Sequence, residues 1–90
     1  MPPEFLLDVR DLAPPEPLER VLTAMGLLAA GQYLRVRLDR EPFPLYALLE
    51  ESGFAWQTRS ACDIPCELFI WRNGDARAVT EILRLHDTAA

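Results

Sequence analysis

The sequence predicts a small two-layer α/β (α+β) sandwich with the element order βαβαββ and a helix at its C-terminal end. Short apolar stretches alternate in the manner of strands, while between them apolar residues recur at spacings of three and four, as on one face of a helix. Proline, glycine and asparagine mark most of the junctions. The length of 90 residues suits a single domain over 1–90, with a core spanning 5–72 and the last helix at 75–86.

The first strand is expected at Phe5–Val9, closed by the Pro14, Pro15 and Pro17 cluster. From Glu16 onward Leu18, Val21, Leu22, Met25 and Leu28 share one helical face, and Gly31 suits a left-handed cap, so the first helix is expected to end near Ala30. Glu16 and Glu19 suit the positive end of its dipole. Gln32–Leu38 alternates, with Leu34, Val36 and Leu38 on one face and Tyr33, Arg35 and Arg37 on a solvated one. Pro42 and Pro44 mark a turn before a short helix carrying Leu45, Leu48 and Leu49 and ending at Gly53.

Two further strands, Phe54–Ser60 and Glu67–Arg72, flank a loop containing Cys62, Asp63, Ile64, Pro65 and Cys66. The later strand is apolar on both faces, Leu68 and Ile70 against Phe69 and Trp71, which predicts an interior position. After the Asn73-Gly74 turn, Val79, Ile82, Leu83 and His86 form the apolar stripe of the last helix. Right-handed crossovers place the first two helices on one face of the sheet. The last helix is expected to cover Phe69, Trp71 and Trp56 on the other face, or to do so across a homodimer formed through the fourth strand and this helix.

Composition excludes several function classes. The net charge is −5 and all nine basic residues are arginine, so neither nucleic acid nor an anionic membrane is an expected partner. The absence of lysine rules out Schiff-base chemistry and a P-loop, and a single histidine, His86, rules out any two-histidine metal motif. No cofactor and no metal are expected. The Met-Pro-Pro-Glu start and the lack of a long apolar run are read as cytoplasmic.

The segment from Asp8 to Pro17, Asp-Val-Arg-Asp-Leu-Ala-Pro-Pro-Glu-Pro, resembles the opening motif of the TusA/SirA-like sulfur carriers, Asp-x-Arg-Gly-Leu-x-Cys-Pro-x-Pro. Asp8, Arg10, Leu12, Pro15 and Pro17 match. Pro14 stands at the position of the sulfur-bearing cysteine and Asp11 at that of the glycine. A second stretch, Arg40–Tyr46 followed by Leu49–Phe54, is similar to a cysteine-lacking relative, the domain of unknown function 2249. The resemblance implies the sheet order 1-2-4-3 with the fourth strand antiparallel. Both helix N-termini and the loop between the last two strands would then meet at one edge, where open α/β sheets bind ligands.

At that edge the expected ligand-binding residues are Asp8, Arg10, Pro14, Glu16, Arg40, Glu41 and Tyr46, a polar pocket for a small anionic ligand or a protein partner. The same residues also read as surface ion pairs and turn-setting groups. No catalytic residue is expected, because proline cannot carry sulfur. The alternative is a thiol-redox or sulfur-transfer protein using Cys62 and Cys66, a Cys-x₃-Cys pair in the last loop. The leading expectation is a non-catalytic binding module on a sulfur-carrier-like scaffold.

Overall fold

A computed structural model of the chain describes residues 2–61 and 64–88. The elements in order are β1 (Glu4–Asp8), α1 (Glu16–Leu27), β2 (Tyr33–Leu38), α2 (Phe43–Glu51), β3 (Phe54–Ala61), β4 (Ile64–Arg72) and α3 (Ala76–Thr88). The strands form one mixed sheet of order β1-β2-β4-β3. β1 and β2 are parallel, and β4 runs antiparallel to both β2 and β3.

Strand alternation divides the apolar residues between two cores. Leu34, Val36 and Leu38 of β2 pair with Ile70, Leu68 and Cys66 of β4, and all six are buried on the face covered by α1 and α2. Val21, Ala24 and Met25 from α1, with Leu45 and Leu49 from α2, complete that core. On the opposite face Tyr33 and Phe69 are buried against Ala78 and Ile82 of α3, with Trp71 and Leu85 at the margin. Helix α3 thus covers its own sheet, as expected from the aromatic content of β4.

Four details differ from the sequence reading. The inward stripe of α3 is Ala78, Ile82 and Leu85, whereas Val79 and Leu83 are exposed. The helix is rotated because only the small Ala78, 0 % exposed, lets it approach the aromatic surface closely. Trp56 lies with Ile70 on the α1/α2 face, since the two are cross-strand partners. Helix α1 stops at Leu27: Leu28 leaves helical geometry (ψ 128°), is buried in the core, and its carbonyl accepts a hydrogen bond from Arg72 Nη1. Arg35 and Arg37 are not simply solvated, as Glu67 lies within 2.9 Å of Arg35 and 3.8 Å of Arg37.

Asp75 fastens α3 to the rest of the molecule. Its carboxylate accepts the Ala78 N–H (3.1 Å), capping the first turn, and the Gly31 N–H (2.8 Å) in the α1–β2 connection. These two backbone donors pull the Asp75 carboxyl below the usual carboxylate range. Gly31 is required there: its φ is 83°, and a Cβ would meet Arg77 Cδ at 2.6 Å.

Candidate functional site

The β1–α1 and β2–α2 connections emerge side by side because β1 and β2 are parallel neighbours. Between them lies a groove of about 500 Å³. Val9, Leu12, Leu18, Val21, Leu38 and Leu45 supply apolar walls, and Pro14, Pro15, Pro17, Pro42 and Pro44 supply rigid ones. Phe43, the first residue of α2, stands at the rim and is 68 % exposed.

The local chemistry of the prolines shapes this edge. Pro15 and Pro42 occupy the N-cap positions of α1 and α2, and neither helix has a side-chain cap. At the start of α2 the Phe43 N–H donates to the Glu41 carbonyl (3.1 Å), Pro44 has no N–H, and the Leu45 N–H donates to the Pro42 carbonyl (2.9 Å). At α1 the Glu16 N–H donates to the Ala13 carbonyl (3.0 Å) and Pro17 again has none. Several of the backbone donors that would make a helix start attractive to an anion are therefore engaged or missing.

The expected site residues are divided by the structure. Pro14, Arg40 and Glu41 line the groove, together with Asp39. Asp8 and Arg10 instead close on each other: Arg10 Nε and Nη2 donate to the two carboxylate oxygens at 3.0 and 2.7 Å, and the Arg10 backbone N–H donates at 3.1 Å. These bonds from Arg10 pull the Asp8 carboxyl down to about 2. Glu16 lies on the far side of α1, 3.4 Å from Arg20. Tyr46 turns its hydroxyl to Thr58 Oγ1 (2.7 Å) and stacks on Trp56 with ring centroids 5.3 Å apart and planes 6° apart. Burial pushes the Tyr46 hydroxyl above its usual range, and neighbouring Glu41 adds to the shift.

Asp11 adopts a backbone conformation that usually favours glycine. Its φ is 71°, in the left-handed region, and its N–H donates to Asp39 Oδ2 at 2.9 Å, tying the two connections together. The groove residues that sequence reasoning did not single out are mainly apolar: Val9, Leu18, Leu38 and Phe43. Their signal was apolar residues beside prolines at the helix starts, where polar caps are usual.

Cys66 belongs to β4, not to a loop, and is buried in the α1/α2 core; Cys62 lies outside the described residues. Burial pushes the Cys66 thiol above its usual range, and the carboxylates Glu41 and Glu67 add to the effect, so its environment opposes a thiolate. His86 sits against Phe69 in an edge-on ring contact on the other side of the sheet from Cys66. Among the described residues no group of three or more metal-ligating side chains comes together, and no helix is long and apolar enough to cross a membrane.

Comparison with curated proteins and with solved structures finds no match. A family model does match, over residues 6–72, which run from within β1 to the end of β4 and include every residue of the groove. The chain therefore belongs to the family described as uncharacterized conserved protein (DUF2249).

Proposed function

We propose that this chain is a non-catalytic binding module on a sulfur-carrier-like scaffold, and that the groove between the starts of α1 and α2 receives an apolar side chain from a protein partner. The observation that carries this reading is Phe43, 68 % exposed at the mouth of an apolar groove of about 500 Å³. An aromatic ring left in water beside preformed apolar walls is the anatomy of an interaction hot spot. Of the two ligand classes expected from sequence, a small anion is the weaker. Asp39 and Glu41 outnumber Arg40 on the rim, and the backbone donors of α2 are taken up locally.

The likeness to TusA/SirA-like carriers belongs to the same reading. The order β1-β2-β4-β3 with β4 antiparallel is what that resemblance implies, and Pro14 forms a wall of the groove where those carriers hold a sulfur. A scaffold that keeps the docking edge without the nucleophile serves recognition. Cytoplasmic residence is part of the proposal. A homodimer through β4 and α3 has less to recommend it, since α3 covers Tyr33 and Phe69 within one chain. Thiol or sulfur transfer is not favoured by the buried setting of Cys66.

The test is site-directed photocrosslinking in the host cell from position Phe43, with Gln57 on the opposite sheet face as the control position. A partner captured at Phe43 alone is purified and titrated against the wild type and Phe43→Asp, with an expected loss in affinity of about tenfold or more. Unchanged affinity in Phe43→Asp, or saturable binding of phosphate or sulfate at the start of α1, would overturn the reading.

A further inference from the structure

The Phe43 groove is apolar within and charged at its mouth. Val9, Val21, Leu38 and Leu45 are each at most 6 % exposed, so its walls are held by the core and stand ready before any partner arrives. The volume of about 500 Å³ has room for a bulky side chain. The ionisable residues from the end of β1 to the start of α1 helix geometry, and from β2 to α2, are Asp8, Arg10 and Asp11, then Asp39, Arg40 and Glu41.

The pairing within this set decides its sign. Asp8 and Arg10 cancel each other in a closed ion pair at 2.7 Å. Asp11, Asp39 and Glu41 are then opposed by Arg40 alone, all four are exposed, and among the described residues no ion pair engages any of them. Arg37, at the end of β2, is turned to the other face of the sheet, 3.8 Å from Glu67. The acids stand on both flanks of the groove. Asp39 is joined to the first connection by the Asp11 N–H (2.9 Å), whereas Glu41 neighbours Tyr46 of α2.

Resting on the binding reading above, we propose that the occupant of the groove is a basic segment of a different protein, a bulky apolar anchor flanked on both sides by arginine or lysine. The anchor fills the groove against Phe43, and its basic neighbours meet Asp39 on one flank and Glu41 on the other. Burial of the anchor supplies affinity, while ion pairs at a rim supply selectivity and speed of encounter. A second copy is the poorer occupant. A twofold contact through this patch sets Asp11, Asp39 and Glu41 against the same three residues of the other chain, and each chain carries a net charge of −5. Shape alone does not choose between partners here; the combination of an open apolar slot with unpaired acids on either side does.

The probes are the capped peptides acetyl-Gly-Arg-Phe-Arg-Gly-amide, acetyl-Gly-Gln-Phe-Gln-Gly-amide and acetyl-Gly-Glu-Phe-Glu-Gly-amide, titrated into the full chain at low ionic strength and followed by backbone amide NMR. The basic peptide is expected to give saturable shifts at Leu12 and Leu45 and to bind about tenfold or more tightly than the acidic one, a ratio that shrinks as salt approaches about 1 M. Glu41→Gln should weaken the basic peptide about threefold and leave the glutamine peptide unchanged. Glu50→Gln, at an exposed acid near the other end of α2, should alter neither. Phe43→Ala should weaken all three peptides, which reports the groove itself. Equal affinity of the three peptides, each weakened by Phe43→Ala, would overturn the selection for basic segments and leave the binding reading standing. Lack of a saturable shift with millimolar basic peptide would overturn the inference, whether or not crosslinking at Phe43 captures a partner. Shifts at Leu12 and Leu45 that grow on concentrating the chain alone would overturn it in favour of a second copy.

Discussion

Arg35 grips both oxygens of the Glu67 carboxylate, through Nε at 2.9 Å and Nη2 at 3.2 Å, with its guanidinium carbon 5.6 Å from the centre of the Phe69 ring. Glu67 is only 6 % exposed, and Arg35 is the nearer of the two arginines beside it, with Arg37 at 3.8 Å. Replacing Arg35 by alanine is expected to cost about 2–4 kcal/mol, because a nearly buried carboxylate loses its counter-ion. The Arg35→Met, Glu67→Met double variant should recover part of the loss, since the nearly buried carboxylate is gone, while Glu4 and Arg37 each lose a partner. Urea denaturation of the single and double variants checks both statements; independent, additive losses would show that the pair is not coupled.

Acid should act on the Asp8–Arg10 pair at an unusually low pH. The folded pKa of Asp8 is about 2, below its ordinary 3.8, so the stabilisation from ionised Asp8 is present above 3.8 and is lost as pH falls towards 2. Carboxyl-carbon NMR should place the Asp8 midpoint near 2 in the wild type and close to 3.8 in Arg10→Ala. A wild-type midpoint at the ordinary value would mean that the pair is not held in solution.

The left-handed turn at Asp11 predicts an asymmetric response to substitution. Asp11→Gly should change stability by less than about 1 kcal/mol, because glycine accepts a φ of 71° and keeps the N–H bond to Asp39. Asp11→Val should cost roughly 1–2 kcal/mol, since a β-branched side chain is strained there. Thermal denaturation of the two variants separates a conformational requirement from a requirement for the carboxylate.

Cys66 should behave as a core residue. In a Cys62→Ser background, a thiol reagent is expected to leave Cys66 unmodified in buffer at neutral pH and to modify it fully in urea, because burial both shields the sulfur and disfavours its thiolate. Cys66→Ser should destabilise by about 1–3 kcal/mol if the hydroxyl finds no partner in this core, and Cys66→Ala by less. Rapid labelling of the folded protein would reopen the thiol reading.

Much of the fold was legible because the determinants are local and periodic. The alternation of β2, the doubly apolar β4 and the glycine stop after α2 each report a backbone constraint that a short window contains. The rotation of α3 was not legible: the large residues Val79 and Leu83 dominate any count of apolar positions, but contact with Phe69 rewards the small Ala78. The early end of α1 likewise depends on a distant group, Arg72, which caps the Leu28 carbonyl. For the candidate site, the meeting of two helix starts follows from topology, whereas its apolar character does not. Asp8 and Arg10 look like ligand groups in the sequence but satisfy each other across two residues. Tyr46 is diverted to Thr58, twelve positions along the chain and on another element, beyond what a local pattern could reveal.

The placement of the two tryptophans gives the molecule a pair of separate optical reporters. Trp56 lies flat on Tyr46, which in turn meets Phe43 edge-on, whereas Trp71 packs beside α3 on the reverse of the sheet. Fluorescence from a variant retaining only Trp56 should therefore follow events at the mouth of the groove, and emission from one retaining only Trp71 should follow detachment of the C-terminal helix.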